Sequence, residues 1–367
     1  MTIADIRSKA VELLALIDAL EEPIGLGTTA YSVGPVLLER ATTNLAFPSH
    51  MGSWSTTNAN LTAEAGGVRI TETTGNGFHE CYKSVGIGSG PHCHSVEVKA
   101  GTATKGRIWF VYGGVGFFAD FDLSAGTISA ASNFGGSTPH KSFIIPLEDG
   151  WFRVAVSGTV TATAGYIDVA LRNDLGAVQY TGTGKYLLAR NAQSEAGIAP
   201  SSFVATTSTS AARPQSSIVG MIPAVQAITL AIHARTPVAW PSDYAVLMHY
   251  DNNSLAPYND LEVFQDSTGL MVARVTYNLD TKSDINLGVI EPNTEFKLAI
   301  TASAAGLKAS FNGSAVQSIP VTWPTDLTFR RWGTQMQGIR EWNGWLYKAE
   351  QWNAVATDSQ LQALSVL

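Results

Sequence analysis

Residues 98–159 decide the fold of this chain. They read VKAGTATKGRIWFVYGG at 98–114, FFADFDLSAGTISAAS at 117–132 and LEDGWFRVAVSGT at 147–159. Short runs of alternating apolar and polar residues are separated by glycine and threonine turns, which is the pattern of antiparallel strands. The stretch contains no obvious catalytic dyad and no nucleotide-binding loop. It therefore predicts antiparallel β-structure without an obvious reaction centre.

The composition extends this prediction to the whole chain. Its 367 residues suit two domains. Charged residues make up 14%, below the usual share of about 25%. Glycine, alanine, serine and threonine take their place, and glycine and threonine are poor helix formers. The formal net charge is −7 without a cluster of lysine or arginine, so we expect no nucleic-acid partner.

The chain also lacks the signals of membrane insertion and secretion. No segment approaches the roughly 20 apolar residues that span a bilayer, so we expect no membrane insertion. Asp5, Glu12 and Asp18 interrupt the apolar N-terminus, which is not the pattern of a secretory signal. We therefore expect the protein to stay where it is made or to leave within an assembly that lysis releases.

Strand-like segments repeat with the spacing of an antiparallel sandwich from about residue 28 to 203. The candidate strands are 67–73, 78–85, 92–99, 106–112, 116–122, 127–131, 141–146, 151–157, 164–172 and 185–190. A polar stretch with Pro214 follows, and a second series of strands ends in a short amphipathic helix. The prediction is a mainly β fold of two antiparallel, jelly-roll-like β-sandwich domains preceded by one N-terminal α-helix. Its bounds are 1–25 for the helix, 26–207 and 218–367 for the sandwiches and 208–217 for a linker.

The N-terminal helix has the spacing of an oligomerisation seam. Thr2 and Asp5 resemble a capping box, and Pro23 ends the helix. Isoleucine at both seam positions favours trimers or tetramers, so we predict a homotrimer; docking on its own domain is the alternative. The heptad-spaced seam residues are Ile3, Ile6, Ala10, Leu13, Ile17 and Leu20.

The first predicted sandwich resembles the carbohydrate-binding-module-like jelly roll of tailed-phage fibre and appendage proteins. The resemblance spans roughly Arg40 to Arg213. It rests on ERATTNLAFPSHMGSWSTTNANLT at the start, on GFHECYKSV, SVEVKAGT and FDLSAGT within, and on NAQSEAGIAPSSFVATT at the end. The chain departs from the family at His92-Cys93-His94, where an aromatic and aliphatic strand is usual, and its exit lacks the usual tyrosine and proline.

The second predicted sandwich resembles the concanavalin-A-like, laminin-G-like lectin domain. Its last strand has an aromatic residue, glycine and apolar residues before a terminal helix, at Trp342, Gly344, Leu346 and Trp352, with Leu361 in the helix. Together the two resemblances imply a virion appendage that attaches to surfaces, with other virion proteins as partners of the N-terminal helix.

Histidine and cysteine cluster at His79, Cys81, His92, Cys93 and His94. A hairpin centred near Ile87 would bring Cys81 opposite Cys93. Three states of the two cysteines are then possible: two free buried thiols, a cross-strand disulfide or a zinc-like site. Free thiols are favoured for a chain that folds in the cytosol. Because side chains alternate between the two faces of a strand, all five cannot bind one metal ion. We predict no metal and no cofactor.

Catalytic motifs are weak. Glycoside hydrolysis needs two carboxylates, and DLEVFQD offers Asp260 and Glu262 on one strand face, with Asp266 out of pattern. A solvated edge strand is the simpler interpretation. No serine lies in a Gly-x-Ser-x-Gly elbow. We therefore expect no enzyme activity.

Aromatic residues offer the binding chemistry, because sugar C–H faces stack on rings while amides and carboxylates bind hydroxyls. We expect Trp151, Trp342 and Trp352 to be core, and other tryptophans, Trp323 among them, to lie beside turns or outward. Loop HYDNNSLAPYND at 249–260 could hold a sugar or calcium, or form an Asx-rich turn without a ligand. The predicted carbohydrate-binding residues are Trp54, Trp240, Tyr244, Tyr250, Asn252, Asn253 and Trp345.

The sequence thus predicts a phage fibre or spike protein that binds host surface polysaccharide. It would be assembled in the host cytoplasm and released by lysis as part of the virion. Oligomerisation would multiply weak affinities. A polysaccharide hydrolase or lyase on the same folds is one alternative, favoured by a convergent carboxylate or Tyr/His pair in a deep groove. A structural decoration protein is the other, favoured by the absence of an exposed aromatic patch.

Overall fold

The computed structural model describes residues 26, 29, 31–161, 164–241, 243–256, 258–336 and 340–366. The predicted N-terminal helix and its seam residues lie outside this part of the chain. Antiparallel strands dominate the described residues, and none of their helices has the length and apolar character to cross a membrane. The fold class predicted for the two sandwiches is confirmed.

The strands are numbered in chain order. The first fifteen are β1 Tyr31–Val33, β2 Val36–Leu38, β3 Thr42–Asn44, β4 Ser55–Thr57, β5 Ala59–Glu64, β6 Gly67–Glu72, β7 Asn76–Gly77, β8 Glu80–Gly86, β9 Gly90–Ala100, β10 Lys105–Tyr112, β11 Val115–Asp122, β12 Thr127–Phe134, β13 Thr138–Pro146, β14 Trp151–Val160 and β15 Ala164–Leu171. A 3₁₀ turn, Glu148–Gly150, precedes β14.

The remaining strands are β16 Tyr180–Thr181, β17 Tyr186–Ala196, β18 Ala211–Arg213, β19 Ile218–Met221, β20 Ala227–Arg235, β21 Tyr244–Asp251, β22 Asp260–Asp266, β23 Leu270–Tyr277, β24 Thr281–Val289, β25 Glu295–Ser303, β26 Gly306–Phe311, β27 Gln317–Ile319, β28 Phe329–Trp332 and β29 Gly344–Trp352. One helix, α1 Asp358–Leu364, follows β29.

The first sandwich comprises Arg40–Gln215. Its two six-stranded sheets have the orders β12-β11-β10-β15-β8-β4 and β13-β14-β9-β17-β6-β5. Alternation along the strands sends apolar side chains into one core, where Phe110, Phe117 and Phe121 are fully buried. Trp151, predicted as a core residue, is buried, but it lies outside this core, with the Arg190 guanidinium 4.0 Å from the centre of its ring.

The second sandwich comprises the described residues from Ser216 onward together with those that precede Arg40. One sheet has the order β1-β29-β20-β25-β26-β27, with β2 also paired to β29, and the other has the order β19-β28-β21-β22-β23-β24. Its core contains Trp332 and Trp342, and Trp352 packs with Leu361 of α1 in a smaller cluster. The predictions that Trp342 and Trp352 are core residues are confirmed.

The two units differ from the predicted domain bounds at both ends of the first sandwich. Residues 31–38, predicted within the first sandwich at 26–207, pair antiparallel with β29, and Leu38 is fully buried in the second core. The predicted linker, 208–217, contains β18, which pairs with β3 of the first sandwich. The first sandwich is therefore inserted into the sequence of the second.

The predicted hairpin between the cysteines is wrong. Cys81 lies on β8 opposite Val169, and Cys93 lies on β9 opposite Ser157, so the two belong to different sheets. Both thiols are buried and free, which confirms the favoured prediction. Burial raises the pKa of both thiols, so they act as small apolar groups.

Candidate functional site

The outward side of the sheet with β8, β15, β10 and β11 carries a row of aromatic rings. Inward Ile108 and Phe110 alternate with outward Trp109 on β10. The register places Tyr82 opposite Asp168, Asp168 opposite Trp109, and Trp109 opposite Phe118. We call this surface the aromatic face. Its rings are Phe78, Tyr82, Trp109, Phe118, Phe134 and Tyr166.

Five of the six rings of the aromatic face contact another ring, in two groups, and the rings remain open to solvent. Tyr166 is 49% exposed, and the others are half-buried. The centroid of Trp109 lies 5.3 Å from that of Phe78 and 6.4 Å from that of Phe134. The rings of Tyr82 and Tyr166 meet edge to face at 5.9 Å. Ring faces and edges are thus held in two preorganised groups on one side of the sheet.

Ionisable groups lie among these rings. Asp168 is 6% exposed, and its Oδ1 accepts no hydrogen bond from the described residues. Burial, with the nearby charge of Glu80, raises the pKa of Asp168 well above its usual value. The Arg107 guanidinium lies 3.7 Å from the centre of the Phe118 ring and binds Asp120 through both carboxylate oxygens. The face therefore combines rings with one partly exposed guanidinium, while Asp120 and Asp168 are buried.

A second candidate site lies on the outward side of the sheet that contains β21–β24 and β28. Cross-strand register aligns charged side chains in one row across five strands: Arg331, His249, Glu262, Arg274 and Asp284. A cleft of about 340 Å³ opens beside them. We call it the polar cleft; the lining residues that bear on its chemistry are Tyr244, Tyr258, Asp260, Glu262, Arg274 and Gln335.

His249 is the centre of a buried hydrogen-bond network in the polar cleft. Its Nε2 lies 2.8 Å from the hydroxyl of Tyr258 and 3.2 Å from Oδ2 of Asp260. Its Nδ1 lies 3.0 Å from Oδ2 of Asp251. Burial alone would lower the pKa of His249, but the two aspartates raise it to about 9. The imidazole is therefore protonated and positively charged near neutral pH, and it lies between two carboxylates.

The carboxylates beside His249 differ in their partners. Arg331 donates to Asp251 through Nε at 2.6 Å, and these contacts lower the pKa of Asp251 although burial opposes them. Glu262 is 3% exposed; burial and the charge of Asp260 raise its pKa to about 7. One carboxylate is thus firmly ionised, and another changes charge near neutral pH.

Two predicted carbohydrate-binding residues are core residues, so their assignment is corrected. Trp54 is 6% exposed, and its Nε1 donates to the carbonyl of Pro48 at 2.9 Å. Tyr250 is fully buried, and its hydroxyl donates to Gln351 at 2.8 Å. Neither ring has a face that a sugar can reach. Trp323, expected beside a turn or outward, is also buried.

The other predicted site residues do not form one patch. Tyr244 lines the polar cleft. Half-buried Trp240 donates through Nε1 to the carbonyl of Ile290 at 3.1 Å. Trp345 is 39% exposed and stacks parallel to Tyr347 at 6.2 Å. Their roles in carbohydrate binding stay predictions.

The loop at 249–260 has the contacts of a structured turn. The backbone N–H of Asn253 donates to Asp251 Oδ1 at 2.7 Å, and Asn253 Oδ1 accepts from Arg331 at 2.8 Å. Asn252 donates to Asp326 at 3.0 Å. These contacts match the predicted Asx-rich turn. The guanidinium of Arg331 already binds the carboxylate of Asp251, which disfavours a calcium ion at that carboxylate.

Sequence reasoning overlooked most of both sites. Asp260 and Glu262 do share a face, but β22 lies between β21 and β23 and both carboxylates are buried, so the edge-strand interpretation is wrong. The missed signal was the polar residue at every second position on adjacent strands, at 249 and 251 and again at 260 and 262. Trp109 likewise lies out of phase with the core residues Ile108 and Phe110.

The sequence matches no known protein-family model and no curated relative. Among solved structures, the CBM40 module of the Ruminococcus gnavus IT-sialidase bound to α2,3 sialyllactose is 14% identical, with a TM-score of 0.35, over 40% of this chain and 85% of that one. The NanB sialidase of Streptococcus pneumoniae is 11% identical, with a TM-score of 0.33, over 41% of this chain and 28% of that one. A pentraxin of Limulus polyphemus is 14% identical, with a TM-score of 0.31, over 40% of this chain and 72% of that one. Similarity at this level identifies no ligand for this chain.

Proposed function

We propose that this chain is a non-enzymatic appendage protein of a phage or phage-derived particle that binds glycans of the host cell surface. The aromatic face of the first sandwich is the proposed binding surface. The single observation that carries this proposal is the row Tyr82–Asp168–Trp109–Phe118 across adjacent strands, with the half-exposed ring of Tyr166 beside it.

The chemistry of the aromatic face favours a sugar over a protein partner. Protein–protein interfaces deplete aspartate and glutamate at their centre. Here Asp168 and Asp120 lie among the rings. A sugar uses rings and a polar donor, because its C–H faces stack on rings while its hydroxyls accept from a partly exposed guanidinium such as that of Arg107. The face also weakens the case for a structural decoration protein, which needs no such patch.

The virion context rests on the sequence resemblance of Arg40–Arg213 to phage appendage jelly rolls. In this proposal the N-terminal helix assembles a homotrimer and attaches it to other virion proteins. The particle is assembled in the host cytoplasm and released by lysis. Host surface polysaccharide is the ligand, and several weak sites act together.

One observation favours the alternative of polysaccharide cleavage. Tyr258 contacts His249 beside Asp260 and Glu262, which is a convergent Tyr/His and carboxylate arrangement in a cleft. Two features argue against it. Both carboxylates are buried, at 1% and 3% exposure, whereas a catalytic carboxylate must touch the sugar. Burial and the charge of Asp260 also raise the pKa of Tyr258, which opposes a tyrosine base.

A glycan array with the purified full-length chain tests the proposed function. We expect the parent to bind a restricted set of polysaccharides. Trp109→Ala and Tyr166→Ala should each weaken that binding at least tenfold, or about 1.4 kcal/mol, because each removes a ring of the aromatic face. Tyr166→Phe keeps the ring and should bind like the parent.

Three further measurements complete the test. Leu175→Ala changes a side chain of the same sandwich that is 95% exposed and should leave binding unchanged. Trp345→Ala tests the predicted ring of the second sandwich in parallel. Incubation of each bound polysaccharide with the parent, followed by product analysis, should give no shorter chains. Absence of glycan binding by the parent, or undiminished binding by both aromatic-face variants, would refute the proposal.

A further inference from the structure

Three potential metal ligands converge in the polar cleft. His249, Asp260 and Glu262 each present one ligand atom, and the three atoms lie within 4.8 Å of one another. Adjacent strands hold these side chains in place, because Glu262 lies directly across from His249 and Asp260 precedes it by two residues on β22. The side chains are 0%, 3% and 1% exposed for His249, Glu262 and Asp260. The cluster is therefore built on rigid elements rather than on a loop.

One carboxylate oxygen of this cluster has no hydrogen-bond partner among the described residues. Oδ1 of Asp260 accepts no hydrogen bond from the described residues, and a buried polar atom without a partner costs about 1–3 kcal/mol. The guanidinium of Arg274 reaches Glu262 only at 3.4 Å. It binds Asp284 through two hydrogen bonds of 2.8 Å each. Arg274 is thus committed mainly to another carboxylate, and Oδ1 of Asp260 is left as a buried oxygen that could bind a metal ion.

Neighbouring residues orient the potential ligands. Oδ2 of Asp251 lies 3.0 Å from Nδ1 of His249, and Arg331 fixes that aspartate at 2.6 Å. Nε2 of His249 is thereby directed toward Asp260. Gln335 donates to Oε2 of Glu262 at 3.3 Å. A carboxylate behind a histidine and an amide behind a carboxylate are the usual supports of metal ligands.

We propose that His249, Asp260 and Glu262 bind a divalent first-row transition ion such as Zn²⁺ or Mn²⁺, which takes the place of the proton on Nε2 of His249. An imidazole ligand favours these ions over Ca²⁺, which prefers oxygen ligands alone. Ligand bonds of about 2.1 Å place tetrahedral ligand atoms about 3.4 Å apart. The three atoms now lie within 4.8 Å of one another, so small side-chain rotations would bring them to bonding distance of one ion. A cation fits where the carboxylates are too buried for a sugar, and the polar cleft leaves space for water ligands.

Isothermal titration of the full-length chain, first stripped of metal by a chelator, tests this proposal. We expect one equivalent of ZnCl₂ or MnCl₂ to bind at about pH 7.5, and CaCl₂ to bind at least tenfold more weakly. Asp260→Asn and Glu262→Gln preserve shape and remove a charged ligand, so each should weaken binding of the transition ion at least tenfold. Circular dichroism confirms that each variant is folded.

The controls separate this site from adventitious binding. His233→Gln removes an imidazole that lies 2.6 Å from Glu295 elsewhere in the same sandwich, and metal affinity should not change. The visible absorption of added Co²⁺ reports coordination in the parent itself, even where a variant fails to fold. Spectra of the hydrated ion alone, or equal affinities of the parent and both cleft variants, would overturn the proposal. Glycan binding at the aromatic face is a separate measurement, so either result stands without the other.

Discussion

At the residue scale, Asp168 is the most informative side chain of the first sandwich. It lies in the middle of the aromatic face between Tyr82 and Trp109. Burial raises its pKa, and the charge of Glu80 raises it further. An ionised Asp168 therefore costs stability at neutral pH, since the folded protein must lose a tightly held proton. A costly group at the centre of a surface fits a role in binding better than a role in folding.

Asp168→Asn should make the protein more stable at neutral pH. The pKa of Asp168 is higher in the folded than in the unfolded state, so the parent is most stable below about pH 4 with respect to this group. Its stability then declines as the pH rises toward the folded-state pKa. The variant cannot ionise at this position, so the decline should become shallower. Thermal unfolding between about pH 4 and pH 8 measures both profiles.

The matched control for this prediction is Asp174→Asn. The carboxylate of Asp174 is 80% exposed and pairs with Lys185, so its removal should leave the pH profile of the parent almost unchanged. If Asp168→Asn shows the same slope as the parent, the carboxyl of Asp168 does not titrate abnormally and its role at the aromatic face must be revised.

Residue identity predicted the large core side chains better than the surface ones. Trp342 lies just before β29 and packs in the second core, and Trp352 ends that strand and packs against Leu361 of α1. Trp54 and Tyr250 were placed at the surface because turns or polar residues flank them. Their burial depends on segments distant in sequence: Gln351 accepts the hydrogen bond of Tyr250 from β29. Local sequence does not contain that information.

At the element scale, the C-terminal helix α1 shows a local signal and a packing contact acting together. Thr357 and Gln360 form a capping box at its start. A helix of this length is unstable alone. Leu361 provides the tertiary contact, since it is fully buried with Trp352, Ala299 and Ala356. The sequence predicted both the helix and its place after the last strand.

Leu361→Ala should destabilise the second sandwich by about 2–4 kcal/mol, because it removes buried methyl groups and leaves a cavity. Gln362→Ala changes the exposed neighbour on the same helix and should cost less than about 0.5 kcal/mol. Urea unfolding followed by tryptophan fluorescence measures both. Equal midpoints for the two variants would contradict the claim that packing of Leu361 holds the helix.

Strand positions were easier to predict than strand partners. The candidate strands at 106–112 and 116–122 correspond to β10 and β11, which do form the predicted antiparallel pair. The candidates at 78–85 and 92–99 correspond to β8 and β9, which lie in different sheets. Alternation marks the face of a strand, but a short loop between two strands does not decide whether they pair or cross between sheets.

At the scale of the whole molecule, the interrupted second sandwich could not be predicted from local pattern. Strands β1 and β2 pair with β29, which follows them by some three hundred residues in sequence. Nothing in the residues at 31–38 distinguishes an added strand of a distant domain from the first strand of the next one. The polar cleft escaped prediction for the same reason, since Arg331 and Gln335 reach His249 and Glu262 from a distant segment.

Oligomerisation is the prediction that belongs to the complete chain. The heptad seam at Ile3, Ile6, Ala10, Leu13, Ile17 and Leu20 predicts a homotrimer. Light scattering of the full chain should therefore give three times the mass of one chain, and removal of residues 1–22 should give the mass of one. Three linked copies of a weak glycan site bind a polysaccharide surface more tightly than one, because the second and third contacts are intramolecular. Truncation should consequently weaken binding to immobilised polysaccharide at least a hundredfold while a short soluble oligosaccharide binds with unchanged affinity. An unchanged mass after truncation would refute the role of the seam, and an equal loss for both ligands would show that truncation damages the site itself.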